Sequence, residues 1–132
     1  MSSYEKINSQ EDLDIFISHF YWQDAFVREI YAISPSYIND QDRSMFAPDA
    51  LPNMKILICS QSSECPGVEM LFNEIEAISL PFGTEINPSG SFNNDFIEFS
   101  FTEIVLSHIR CKQIYYKTLD QACWGDKLFY GS

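Results

Sequence analysis

A chain of 132 residues, 45% hydrophobic and 15% aromatic, has the material for one packed core and is too apolar to remain disordered. Its formal charge of −11, with only eight Lys and Arg scattered along it, excludes the clustered cations that nucleic-acid phosphates require. No apolar run approaches the roughly 18–20 residues of a membrane span, and the first residues lack the basic start and apolar stretch of a signal peptide. The expectation is a single cytoplasmic domain over residues 1–132, with neither membrane nor nucleic acid among its partners.

The chain opens with a helix signal. Ser9 is placed to cap it, Glu11 and Asp12 follow in the first turn where the helix dipole favours acids, and Leu13, Phe16, Ile17 and Phe20 keep the i, i+3, i+4, i+7 spacing of one buried face. This predicts a helix over residues 10–21, packed on a sheet. From Ala25 to Ile33 the period changes to two, and apolar residues on both faces suit a central strand. Residues 36–53 are a polar stretch with Pro48 and Pro52, long for a loop in a compact domain, so it is expected to be functional or mobile unless Met45 and Phe46 fold it back onto the core.

Further strands are expected at Met54–Gln61, Val68–Phe72, Ile75–Leu80, Phe96–Phe101, Ile104–Ile109, Cys111–Lys117 and Ala122–Tyr130, with loops at residues 62–67 and 81–90. The fold class that follows is α+β and mainly antiparallel β. About 7–8 short strands would form a meander folded as a sandwich or half-barrel, with one N-terminal helix packed on the sheet.

The segment Tyr21-Trp22-Gln23-Asp24-Ala25-Phe26-Val27-Arg28-Glu29-Ile30 resembles a family of short, uncharacterised bacterial proteins, which open with an aromatic-His-Asp-Ser segment running into a basic-acidic-aliphatic triplet. The resemblance continues through Ile56-Leu57-Ile58-Cys59-Ser60-Gln61 and Pro66-Gly67-Val68-Glu69-Met70-Leu71-Phe72, and covers about two-thirds of the chain. Gln23 stands where that family has His, so a role belonging to the His does not transfer. The resemblance implies one β-rich domain and carries no activity.

Cys59, Cys65, Cys111 and Cys123 contain no C-x-x-C pair and match no zinc spacing, and they are expected to be four free thiols with no metal bound. Asp40-Gln41-Asp42-Arg43-Ser44 begins like a calcium loop but has Met45 where the turn needs Gly and Leu51 where it needs a bidentate Glu, which leaves an exposed polar turn. His19 and His108 are isolated, and Ser107 beside His108 on a strand would face the opposite side. No phosphate-binding or dinucleotide-binding glycine pattern is present. No catalytic residue and no cofactor are therefore assigned.

The remaining signal is charge. Residues 56–109 hold no Lys or Arg but carry Glu64, Glu69, Glu74, Glu76, Glu85, Asp95, Glu98 and Glu103. Glu69 and Glu98 alternate with apolar neighbours and should face solvent. The partner-binding residues assigned are Glu69, Glu74, Glu76, Asp95, Glu98 and Glu103, on an acidic face for a basic protein surface, as in an immunity-type protein; ordinary solubility is the competing explanation. The alternative function is a small-molecule-binding or enzymatic domain whose cleft is lined by Trp22, Tyr31, Tyr37, Tyr115, Tyr116, Trp124, Phe129 and Tyr130; packing inside the sheets is the better explanation of such aromatics.

Overall fold

The computed structural model describes residues 4–20, 22, 25–46, 51–60, 67–79, 86–93, 95–102 and 107–119. In chain order these form β1 (Glu5–Lys6), α1 (Gln10–His19), β2 (Phe26–Ile33), β3 (Tyr37–Ile38), β4 (Met45–Phe46), β5 (Asn53–Cys59), β6 (Gly67–Asn73), β7 (Ala77–Ser79), β8 (Ser89–Phe92), β9 (Ile97–Thr102), β10 (Ser107–Cys111) and β11 (Gln113–Leu119). The fold is α+β and mostly antiparallel. One sheet has the order β1-β11-β6-β5-β2, a second β7-β10-β9-β8, and β3 pairs with β4 alone, so β2, expected as a central strand, is instead an edge among the described strands.

Period-two alternation builds the interior. In the five-stranded sheet the register aligns Met54 with Phe72 and Ile114, Ile56 with Met70, and Ile58 with Val68, all buried on one face. The four-stranded sheet answers with Ile97, Phe99 and Phe101 of β9 and Ile109 and Cys111 of β10. Phe72 joins the two faces, its ring centroid 5.9 Å from Phe99 and 6.1 Å from Phe101. Each large apolar side chain so buried contributes about 1.5–3 kcal/mol.

Helix α1 lies over the edge of this interior, as its spacing predicts. Ser9 accepts a hydrogen bond from the Asp12 N–H at 3.1 Å, and Leu13, Phe16 and Phe20 are buried, with Ile17 half-buried against the same cluster. The helix ends at His19, two residues before the expected limit. Phe20 is already extended, and the Trp22 indole N–H donates to the Ile17 carbonyl at 2.7 Å, satisfying one group of the last turn. Gly90 makes the close approach possible: a Cβ there would stand 2.9 Å from Leu13 Cδ2 and 2.8 Å from the Glu98 carbonyl.

Four strands escape the sequence pattern. β8, Ser89-Gly90-Ser91-Phe92, begins at the end of the expected 81–90 loop because it has little apolar alternation of its own. Strands β3 and β4 lie within the 36–53 stretch, and β1 is too short to leave a periodic signal. The strand expected at Ala122–Tyr130 lies outside the described residues.

Candidate functional site

The structure separates the two glutamates expected to anchor one acidic face. Glu69 stands at the centre of the five-stranded sheet, on the face opposite the sandwich interior, and its exposure is 3%. The expectation that it faces solvent is therefore corrected. The register places Lys117 of β11 directly opposite it, and Lys55 of β5 one step along on the diagonal. Both ammonium groups lie 3.3 Å from its carboxylate oxygens, and the Tyr4 hydroxyl donates a third contact at 2.7 Å. Burial by itself would raise the Glu69 pKa; hydrogen bonds from Tyr4, Lys117 and Lys55 outweigh it and hold the carboxyl below its ordinary value.

Each lysine of this face also sits over a tyrosine ring. Lys117 is 4.6 Å from the centroid of Tyr4, Lys55 is 5.8 Å from Tyr31, and Lys6 is 5.9 Å from Tyr115. Two glutamates thus diverge, since Glu98 belongs to the other sheet. It is the cross-strand partner of Arg110, which donates through Nε at 3.0 Å and Nη2 at 2.6 Å while stacking 4.1 Å from the Phe96 ring. The cations that meet these acids, Lys55, Arg110 and Lys117, all lie outside residues 56–109, where the sequence shows a stretch without basic residues.

Glu74, Glu76 and Asp95 are exposed. Glu74 occupies the left-handed region at φ 55° in the β6–β7 turn, and its N–H donates to Asn53 Oδ1 at 2.9 Å. The Glu76 N–H donates to the Arg110 carbonyl, at the end of the four-stranded sheet where β9 begins just after Asp95. Glu103 lies outside the described residues.

The aromatic residues proposed for a cleft are dispersed. Trp22 packs edge-on to Phe16 and Phe20, Tyr116 stacks 4.3 Å from Phe16 and donates to Glu5, and Tyr31 and Tyr115 stand apart on the outer sheet face with Lys55 and Leu71 between them in register. Burial and the bond to Glu5 push the Tyr116 hydroxyl up to about 12. Trp124, Phe129 and Tyr130 lie outside the described residues.

The cysteines also depart from expectation. Cys111 is free and buried, its thiol pushed up to about 12 by desolvation, which keeps it protonated and unreactive. Cys59 is disulfide-bonded, to a partner outside the described residues, so four free thiols is corrected. Sequence spacing rules out a zinc pattern but says nothing of a disulfide, which needs only two Cα atoms brought within about 4.4–6.8 Å by the fold. Among the described residues no three His, Cys, Asp or Glu side chains gather in a metal-binding group.

One surface stands out instead. Ile33, the last residue of β2, is aligned with Asn53, the first of β5, and between these paired ends the chain runs out into the β3–β4 hairpin. Tyr37 pairs with Phe46 on one face of the hairpin, rings 5.0 Å apart, and Ile38 pairs with Met45 on the other. All four are at least half exposed, Met45 most of all at 72%, and Tyr31 and Ile33 are equally open at the end of β2. Met45 and Phe46 do not fold back onto the core.

The turn that closes the hairpin is built by polar side chains. The Gln41 N–H donates to Asn39 Oδ1 at 2.8 Å, the Ser44 N–H and hydroxyl donate to Asp42 at 2.9 and 2.7 Å, and Arg43 takes the left-handed conformation at φ 62°. The Ser44 contacts hold the Asp42 carboxyl below its ordinary range. Asp40 and Asp42 therefore stand at the tip, while Glu74, bonded through its N–H to Asn53, stands at the root. The sequence signal for this surface is present in hindsight: two adjacent apolar pairs, Tyr37-Ile38 and Met45-Phe46, flanking a polar turn.

The chain matches no protein-family model, no curated protein and no solved structure. No helix among the described residues is long and apolar enough to cross a membrane.

Proposed function

We propose that this chain is a non-catalytic module that binds another protein through the β3–β4 hairpin and the adjoining end of β2. The observation that carries the reading is the exposure of Tyr37, Ile38, Met45 and Phe46 on both faces of one hairpin. A two-stranded hairpin is marginal in water unless a further layer covers it, and large apolar side chains exposed on both of its faces suit it to receive one. The exposed carboxylates of Asp40 and Asp42 at the tip and Glu74 at the root outnumber the one cation of the turn, Arg43, and favour a partner with a basic rim, and the overall charge of −11 would speed its approach. An immunity-type protein that masks a cationic toxin is one form of this reading.

The test is a photo-crosslinking residue placed at Met45 in cells of the source organism, with the same residue at exposed Ile15 of α1 as control. A discrete heterologous adduct at position 45, absent at position 15 and lost with Phe46→Ser, is the expected result. Equal labelling at both positions, or none at 45, would overturn the reading.

A further inference from the structure

The edges of the two sheets are not treated alike. β1 and β7 are only two and three residues long, too short to template a partner strand. The edge at β8 is closed by the helix: Gln10 Oε1 accepts from the Phe92 N–H at 2.7 Å, and Gln10 Nε2 donates to the Gly90 carbonyl at 3.3 Å. Strand β2 differs from all three. It has eight residues, it pairs with β5 on one side, and no described strand lies on the other.

The bulge between Val27 and Glu29 disrupts the first half of β2, which protects that half. Beyond it, Ile30 to Ile33 run in unbroken register with Ile56 to Asn53, with neither Pro nor Lys to discourage a further strand. Among the described residues these four make no hydrogen bond other than those to β5. Tyr31 and Ile33 project from the same stretch and are more than half exposed, and the exposed Tyr37 of the hairpin follows Ile33 by only four residues.

We infer that β2 accepts an added strand from the partner along Ile30–Ile33, while the hairpin grips that strand's apolar side chains; this rests on the docking reading above. The occupant is an extended segment alternating apolar and basic residues. Apolar side chains would meet Tyr31, Ile33, Tyr37 and Phe46, and cationic ones the rim of Asp40, Asp42 and Glu74. A second copy of the chain is disfavoured as occupant, because two bodies of charge −11 repel. In strand addition the main chain supplies affinity and alternate side chains supply specificity.

The experiment uses a synthetic peptide of alternating valine and lysine, and the same peptide N-methylated at alternate residues, with amide hydrogen exchange of the full chain as readout. The expected result is slowing of exchange by at least about tenfold at alternate amides of residues 30–33, absent with the N-methylated peptide and weakened by salt. No slowing at these amides, or equal slowing with the N-methylated peptide, overturns strand addition; peptide signals that move at the hairpin alone do so while leaving the docking reading intact. Protection of β2 that survives Phe46→Ser supports strand addition and removes the hairpin from the docking reading. Protection that grows with protein concentration without peptide overturns the choice of occupant in favour of a second copy.

Discussion

Glu69 and Glu98 have the same sequence setting and opposite fates. Each is a single acid in an alternating apolar strand, and period-two alternation turns each away from the sandwich interior. Glu69 lies on β6, with β11 on one side and β5 on the other, and both neighbours present a lysine. Glu98 lies on β9 between β10, which presents Arg110, and β8, which presents Ser91. Two flanking cations and a tyrosine bury the first carboxylate, whereas one arginine leaves the second 39% exposed. Being turned from the core is a property of the strand; being exposed is a property of what the neighbouring strands carry.

Truncation at position 69 has the largest expected effect. Glu69→Ala removes the partner of Lys55 and Lys117 and leaves a gap between them. Breaking a buried pair costs roughly 3–5 kcal/mol, and because both lysines can still reach water the loss should fall near the low end, about 3 kcal/mol. Urea unfolding monitored by tryptophan fluorescence measures it. A loss below about 1 kcal/mol would mean that Glu69 is no better held than a surface acid.

Acid should remove part of the same contribution. The folded pKa of Glu69 lies below its ordinary 4.5, so the stability it confers is fully present above that value and is lost as pH falls through the lower folded one. Glu69→Gln cannot gain that proton. The stability difference between the parent and Glu69→Gln should therefore shrink as pH is lowered from 7 through the range below 4.5. A gap that stays constant would show that the carboxylate charge is not what the lysines and Tyr4 recognise.

The smallest effect belongs to the other glutamate. Glu98→Ala should cost no more than about 1 kcal/mol, since the Arg110 pair is open to solvent and screened by salt. Arg110 keeps its stacking on Phe96 in this variant. A loss matching that of Glu69→Ala would dissolve the distinction between the two sites.

Elements with strong periodicity were legible in the sequence. Helix α1 announced itself through Ser9, Leu13, Phe16 and Phe20, and β2, β5, β6 and β9 through their alternation; these are local signals that need no knowledge of neighbours. The candidate site was legible in part. Glu74, at the root of the hairpin, is singled out by its charge alone, but the hairpin is hidden in an apparently polar stretch because its strands are two residues each.

What the sequence determined by itself is the antiparallel α+β class, the buried face of the helix and the net charge, because each depends on composition or on repeats of two and 3.6 residues. Which charges meet depends on how the strands pair. Lys55, Arg110 and Lys117 lie outside the acid-rich residues 56–109, yet strand pairing brings all three within 3.3 Å of Glu69 or Glu98. Among the described residues the edge of β2 and the β3–β4 hairpin carry no covering element, while Gln10 closes the edge of β8. Contacts across a sheet depend on register and strand order, which are non-local, so no reading along the chain contains them.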